Sequence, residues 1–468
     1  MEIMYVKKVV SIGPSSGNFE IVKAMAEIGV DGFRINFAHG SPEEWRKYVE
    51  MIRKAESELG KPLALIGDMP GTSIRIGELK EPIVVKKGDT LKFVLGLSAE
   101  EAKVVPVPIR KFFEIIDVGD TLVMDDGKTR LQVIDRGSSY IEALALNDAV
   151  IKSRKTITIS GKELDLPILS ERDKSYLKFA VENDFDYIGL SYVRTPEDVE
   201  MVKEVLKRMG KDIGIISKIE TRSAVKNLKG IIDVSDVVLV ARGDLGMNFG
   251  LEEIHSLQKY IVEKCLEMRT PVIVATQLLE SMIENPIPTR AEVVDITVAV
   301  EMGVDALMLA GETSIGKYPL EAVQWLKKIS DRAEANLDKF IDKVIAKARD
   351  KLEDIREKFA KGVLELAEDL GGKLLVFSMH GNTARRISSL KPRIPVYVAS
   401  PDIRVLRRLS ILWGLSTIHV EAKDYEEGLR KTLEKAVNLN LLSYGELAIL
   451  TYGLREPKQH IEILRVES

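Results

Sequence analysis

Eight short runs of β-branched and apolar residues, most of them followed by a stretch of helical periodicity, dominate this sequence and restrict it to folds built from repeated βα units. The runs are Val6–Ile12, Gly32–Phe37, Leu63–Asp68, Tyr187–Tyr192, Ile213–Ile219, Val237–Arg242, Pro271–Thr276 and Ala306–Gly311. Each is nearly continuously apolar, which suits parallel strands covered on both faces. Between them lie amphipathic stretches such as FEIVKAMAEIG, PEEWRKYVEMIRKAESELG and PEDVEMVKEVLKRMG. The last opens Thr195-Pro196-Glu197, an N-cap hydroxyl followed by a proline suited to the first turn. Eight units in order predict a (β/α)8 TIM barrel. An open doubly wound sheet is the alternative, because closure is not written in a sequence.

The third and fourth runs are separated by more than a hundred residues of another texture. Short alternating strands such as PIVVKKGDTLKFVL and SYIEALALN, with Asp126-Gly127 as a hairpin turn, predict an inserted small β-barrel lid domain over residues 71–155. Inserted in a βα loop, it sits over the C-terminal mouth of the barrel. The barrel then comprises residues 1–70 and 156–345, and a fresh strand-loop-helix pattern marks a C-terminal α/β domain over 346–468, a candidate regulatory unit.

Composition narrows the function. A net charge of −4 gives no reason to expect nucleic acid as a partner. The basic cluster Arg404, Arg407 and Arg408 reads as a solvated helix face. The single cysteine, Cys265, falls in a helical pattern as a small buried hydrophobe, and its solitude fits a reducing compartment. No secretory leader and no run of about 18 apolar residues is present, so a cytoplasmic protein without a membrane span is expected.

In such a barrel, polar residues at the C-terminal ends of strands converge on one mouth. Those ends carry Arg34, Asn36 and His39; Asp68, with Arg75 beyond; Lys218 and Glu220; Arg242, Gly243 and Asp244; Thr276 and Gln277; and Gly311, Glu312 and Thr313. Lys218 and Glu220 stand two apart on a strand and so share a face. Glu220 and Asp244 together suit one Mg²⁺ or Mn²⁺, which takes few carboxylates plus water and substrate oxygens. Gly243 lets backbone N–H groups approach an anion closely. One metal, the cations Arg34 and Lys218, and exposed amides suit a small phosphorylated carboxylate.

The runs SIGPSS (Ser11–Ser16), RINFAHG (Arg34–Gly40), SKIE (Ser217–Glu220), ARGDLG (Ala241–Gly246), ATQLLESMIENPIPTRAEVVD (Ala275–Asp295) and LAGETSIGKYPLEAV (Leu309–Val323) resemble the pyruvate kinase family, in order and over nearly the whole chain. The resemblance implies transfer of a phosphoryl group from phosphoenolpyruvate to ADP. It implies that Glu220 and Asp244 hold the divalent metal, and that Arg34, Lys218, Gly243, Asp244 and Thr276 hold phosphoenolpyruvate. Lys218 becomes the stabiliser of the transition state, with Thr276 near the path of the proton that quenches the enolate. Asn36, His39, Arg75 and Lys155 face the nucleotide, and Asn36 and Asp68 match monovalent-cation ligands. Family members are commonly tetramers, which predicts a homo-oligomer.

Some positions depart from the family pattern. Ala38 replaces a potassium-binding serine, Met69 a threonine, and Ser73 stands where glutamate or lysine is usual; weak or absent potassium activation is expected. Ala310 replaces a serine implicated in proton delivery, and Pro70 and Thr72 replace lysine and proline. The segment SMHGNTARR resembles an effector-binding stretch in which Ser378, Asn382 and Thr383 hold a phosphate, although N-capping alone also explains them. Two rival readings remain open: a metal-dependent lyase or aldolase acting on a pyruvate enolate, and a non-catalytic paralogue that senses phosphoenolpyruvate or nucleotide.

Overall fold

The computed structural model describes residues 5–125, 127–164, 166–336, 341–455 and 458–467. The eight apolar runs are strands β1 (Lys7–Ile12), β2 (Gly32–Asn36), β3 (Ala64–Met69), β4 (Tyr187–Leu190), β5 (Gly214–Ile219), β6 (Val237–Ala241), β7 (Val272–Ala275) and β8 (Ala306–Leu309). Each pairs in parallel with the next, and β8 returns to β1 with Lys7 opposite Ala306 and Val10 opposite Leu309. The barrel is closed, which removes the open-sheet alternative. Most runs end a residue or two before the sequence suggests. Arg242, Gly243 and Asp244, read as the end of a strand, instead form the first turn of a helix, Arg242–Phe249.

Local chemistry starts the surrounding helices. Pro42–Leu59, Glu171–Glu182 and Arg290–Glu301 each begin with a capping box, formed by Ser41 with Glu44, Ser170 with Asp173, and Thr289 with Glu292. Each cap contributes about 1 kcal/mol by satisfying N–H groups that the helix itself cannot pair. The helix Pro196–Arg208 starts similarly, with the Asp198 carboxylate accepting from the Thr195 N–H at 3.2 Å. Cys265 is fully buried in the helix Ile254–Met268, and burial pushes its thiol pKa up, in keeping with an inert core residue.

Between β3 and β4 the lid forms a six-stranded sheet in the order Ile157–Ile159, Thr121–Met124, Thr129–Arg136, Tyr140–Ala145, Thr90–Leu95 and Val104–Val107. It has its own apolar cluster, which includes Phe93, Phe112, Phe113 and Leu131. The strand Ile157–Ile159 lies beyond Lys155, where the sequence-based boundary falls, yet pairs with Thr121–Met124. Asp126 of the expected hairpin turn lies outside the described residues; the flanking strands are antiparallel, with Met124 opposite Thr129. Just past this turn, Lys128 reaches across to Glu280 of the barrel at 3.5 Å.

The C-terminal domain carries a five-stranded sheet in the order Leu415–His419, Val396–Ser400, Lys373–Phe377, Leu447–Arg455 and Lys458–Arg465. It docks on the N-terminal end of the barrel, opposite the lid. Ile411 and Leu412 join one apolar cluster with the strand residues Val9, Ile66, Ile216, Leu239, Ile273 and Met308. Trp413, fully buried, stacks on Tyr5 with ring centroids 5.5 Å apart. Polar groups complete the seam: Lys391 Nζ lies 2.9 Å from Asp305 Oδ2, and the Ser410 hydroxyl donates to the Asp31 carbonyl at 2.9 Å. Arg407 and Arg408 belong to this seam and not to a solvated face. Arg407 Nε contacts both Glu56 carboxylate oxygens at 2.9 Å, and Arg408 reaches Asp212 at 3.0 Å. Only Arg404 matches the solvated reading, pairing with its neighbour Asp402.

Candidate active site

The mouth of the barrel brings together charges from three strands. Arg34 on β2 sends Nε and Nη2 to Asp68 Oδ2 at 2.7 and 2.5 Å, and Nη1 to the Ser11 hydroxyl at 2.8 Å. Lys218 on β5 contacts Glu220 Oε1 at 2.9 Å, the Ser191 hydroxyl at 2.7 Å and Asp68 Oδ2 at 3.5 Å. The expected shared face of Lys218 and Glu220 is therefore real. Burial opposes the charge on Lys218, yet Asp68 and Glu220 outweigh it, and the ammonium pKa is raised. Burial likewise opposes the charge on Asp68, but Lys218 and Arg34 hold its carboxyl below the usual range.

Asp244 joins this group. It acts electrostatically on Lys218, and together with Glu220 on the Tyr192 phenol, whose burial and acidic neighbours push its pKa well up. The Tyr192 N–H donates to Glu220 Oε2 at 2.7 Å. Opposite, the Gly243 N–H donates to the Thr276 hydroxyl at 2.9 Å. A Cβ added at Gly243 would rest in ordinary contact on Thr276, with Oγ1 at 3.6 Å, so the glycine leaves room of about a methyl group beside that hydroxyl.

Three residues at the mouth hold left-handed backbones: Tyr192 (φ 57°), Thr276 (φ 72°) and Gln277 (φ 53°). Each costs on the order of 1–3 kcal/mol and persists only where its surroundings impose it. Arg242 imposes two of them. Its guanidinium donates to the Thr276 carbonyl at 2.7 and 3.1 Å and to the Gln277 carbonyl at 2.9 Å, while Asp295 anchors it at 2.6 Å.

Arg75 and Lys155 come from the two chains of the lid hinge and face His39. Burial, then Arg75, Arg34 and Lys155, lower the His39 pKa, so the imidazole is neutral near pH 7. Arg75 donates to the Arg154 carbonyl at 3.3 Å, and Lys155 pairs with Asp125 at 2.7 Å. Asn36 Oδ1 accepts from the Ala38 N–H at 3.0 Å. Far from this mouth, in the C-terminal domain, the Ser378 hydroxyl accepts from the Gly381 N–H at 3.0 Å and the Thr383 hydroxyl points at the Tyr452 carbonyl at 3.5 Å, while Asn382 begins the helix Asn382–Ser389.

Among the described residues no group of three or more His, Cys, Asp or Glu side chains could hold a metal. The chain thus offers two carboxylates, Glu220 and Asp244, and an open cradle at Gly243. That fits a hard cation completing its shell with water and phosphate oxygens. For a monovalent ion, Asp68 Oδ1 is buried without a partner. The Met69 carbonyl accepts from Ser191 at 2.8 Å, and Ala38 adds no oxygen.

Sequence reasoning missed Ser191, Tyr192 and Asn248. Ser191 is the first residue past β4, and surveying that strand end like the others would have found it. Asn248 sits on the last turn of the helix Arg242–Phe249, whose opening residues look like a strand end in the sequence, so nothing in the local pattern marks it.

The family model for the pyruvate kinase barrel domain matches residues 4–323, and that for the pyruvate kinase alpha/beta domain matches residues 357–467. The chain is 40% identical over 454 residues to the pyruvate kinase of Pyrobaculum aerophilum, covering 96% of this chain and 94% of that protein. It is 41% identical over 447 residues to the pyruvate kinase of Aeropyrum pernix, covering 95% of each. The crystal structure of the Pyrobaculum aerophilum pyruvate kinase superposes with a TM-score of 0.86 at 38% identity, over 99% of this chain and 100% of the other. The chain is a phosphotransferase and belongs to the pyruvate kinase family.

Proposed function

We propose that the barrel mouth transfers the phosphoryl group of phosphoenolpyruvate to ADP, giving pyruvate and ATP as in glycolysis. The observation that carries this reading is the Lys218 ammonium, held among Ser191, Glu220 and Asp68 beneath the lid. Arg34 and Lys218 bind the substrate's anionic groups, with Gly243, whose N–H orients the Thr276 hydroxyl, the Asp244 N–H and that hydroxyl completing the cradle. Asn36, His39, Arg75 and Lys155 receive the nucleotide. A terminal phosphate oxygen of ADP attacks phosphorus, and the bond from phosphorus to the enol oxygen breaks. Lys218 disperses the charge that spreads over the moving phosphoryl oxygens. The enolate left behind takes a proton at its methylene carbon, with Thr276 beside that path. Lid closure excludes water and keeps the phosphoryl group from hydrolysis.

Glu220 and Asp244 would hold Mg²⁺ or Mn²⁺, which when bound neutralises negative charge on the substrate oxygens. The relay lacks one hydroxyl, because Ala310 has none and the Thr313 hydroxyl donates away to the Ser11 carbonyl at 2.8 Å. Water supplies the missing link. Asn36 and Asp68 offer a monovalent site that K⁺ fills only weakly. A phosphate at Ser378, Asn382 and Thr383 would draw on the Ser378 hydroxyl, which accepts from Gly381 and keeps its hydrogen to donate, and on backbone N–H groups of the helix start, while the Thr383 hydroxyl is turned to the Tyr452 carbonyl. Exposed Leu251, Ile287, Val294 and Ile315 on the barrel segments support self-association as a homo-oligomer, a tetramer by family resemblance. No helix among the described residues is long and apolar enough to cross a membrane, and a cytoplasmic setting is the reading we adopt.

The test supplies phosphoenolpyruvate, ADP and Mg²⁺ and follows pyruvate with lactate dehydrogenase and NADH. Steady pyruvate production that requires ADP is expected. Release without ADP points to lyase chemistry, and no release at all to a sensor; either outcome overturns the proposal.

A further inference from the structure

We propose that Asn248 is a positioning residue that sets the separation of the two metal-binding carboxylates, an inference that rests on the assignment of Glu220 and Asp244 to the metal. The two carboxylates come from different segments. Glu220 follows β5, and Asp244 lies in the first turn of the helix after β6. One side-chain amide joins them: Asn248 Nδ2 donates to the Glu220 carbonyl at 2.9 Å and to the Asp244 carbonyl at 3.1 Å. The two hydrogens of a single planar NH₂ group are thereby committed to the two residues that must share an ion.

The amide is itself fixed. Asn248 is only 5% exposed. Its backbone carbonyl accepts from Arg222 Nε at 3.0 Å, and the Arg222 guanidinium lies 4.5 Å from the centroid of the adjoining Phe249 ring. Glu220 has further anchors in Lys218 and the Tyr192 N–H. The Asn248 amide is therefore the tie that runs from the Asp244 helix to the Glu220 residue itself, beside the Arg222 contact one turn further on. Loss of this donor loosens the helix against Glu220, although Arg242 and Arg222 still hold its two ends, and deprives the Glu220 carbonyl of this partner. A leucine fills the same volume without donating; an aspartate directs oxygens at two carbonyls.

The experiment counts Mn²⁺ bound to the full-length protein without substrates, by electron paramagnetic resonance of the free ion. It compares wild type with Asn248→Leu, Asn248→Asp, Glu220→Gln and Asp244→Asn. Circular-dichroism melting fixes the folded fraction of each variant. The expected result is one Mn²⁺ site whose dissociation constant rises about 10–100-fold in Asn248→Leu, the usual effect of losing an outer partner of a metal ligand. A substitution that only loosens the fold lowers the melting temperature and leaves the constant of the folded fraction unmoved. If Asn248→Leu fails to fold, Asn248→Ser, which keeps a donor too short to span both carbonyls, replaces it with the same expectation. An unchanged constant in the Asn248 variants, while Glu220→Gln and Asp244→Asn lose Mn²⁺, overturns the positioning role alone. Unchanged binding in those two carboxylate variants overturns the metal assignment and this inference with it.

Discussion

Arg34 and Asp68 meet through a single carboxylate oxygen, Oδ2, which leaves Asp68 Oδ1 buried with no partner in the protein. Lys218 approaches the same Oδ2 at 3.5 Å, so two cations already neutralise one carboxylate. The other expected oxygens are engaged: Asn36 Oδ1 by the Ala38 N–H, and the Met69 carbonyl by Ser191. Of these oxygens only Asp68 Oδ1 is wholly unpartnered, and its carboxylate charge is already met by Arg34 and Lys218, so a monovalent cation finds little electrostatic demand. Activity in Na⁺ is expected to equal activity in K⁺, and Ala38→Ser is expected to gain a K⁺ response. Strong activation of the wild type by K⁺ over Na⁺ would contradict this.

Lys218→Met is expected to lower turnover by at least about 10²–10³-fold, the scale for removing one preorganised electrostatic donor. It also strips Glu220 and Asp68, both buried, of a shared cation. A loss of about 3–5 kcal/mol in stability should follow, as when a buried pair loses one member. Rate and denaturant midpoint must therefore be measured together, at a temperature where the variant is folded. Near-normal turnover there refutes the role.

His39 should titrate below the ordinary histidine value, because burial and then Arg75, Arg34 and Lys155 disfavour its cation. As pH falls through that ordinary value the unfolded chain takes up the proton first, so His39 subtracts from stability on acidification. Bound ADP brings negative charge beside Arg75 and Lys155 and should move the midpoint upward. Nuclear magnetic resonance of the His39 ring, with and without ADP, reads both effects; a free-enzyme midpoint at or above the ordinary value would be inconsistent with this environment.

Lys391→Met should destabilise the junction between domains by about 3–5 kcal/mol, since Asp305 would remain buried without its cation. Asp305 also accepts from the Val272 and Trp413 N–H groups, at 2.9 and 3.2 Å. An Asp305→Asn change added to Lys391→Met is expected to recover part of the loss, by removing the stranded charge. Urea denaturation of the two variants tests this; a double variant less stable than Lys391→Met would show that the carboxylate acts through those N–H groups alone.

The barrel was legible because its signal is repeated: eight apolar runs, each long enough to see, with polar residues at their ends. Arg34, Asp68, Lys218 and Glu220 followed from that rule, and they meet in space. Asn248 did not, because its role depends on a helix whose start, Arg242-Gly243-Asp244, has no apolar periodicity of its own. The strands Leu415–His419 and Lys458–Arg465 were equally hidden. Both lie at sheet edges, and Ile461 and Ile463 of the second are half exposed, so neither shows the continuous apolar run of a covered strand. Arg407 and Arg408 look like surface because charge in a sequence carries no record of a partner such as Glu56, some 350 positions away.

The way Ile411, Leu412 and Trp413 close the base of the barrel has a consequence for anyone cutting the chain. A Cβ added at Gly32, inside that base, would come within 3.0 Å of Ile411, so the floor of the cylinder is fitted to this one stopper. Deleting the last hundred residues would not liberate a catalytic module; it would bare to water the apolar floor of Val9, Ile66, Ile216, Leu239, Ile273 and Met308 on which the mouth is built.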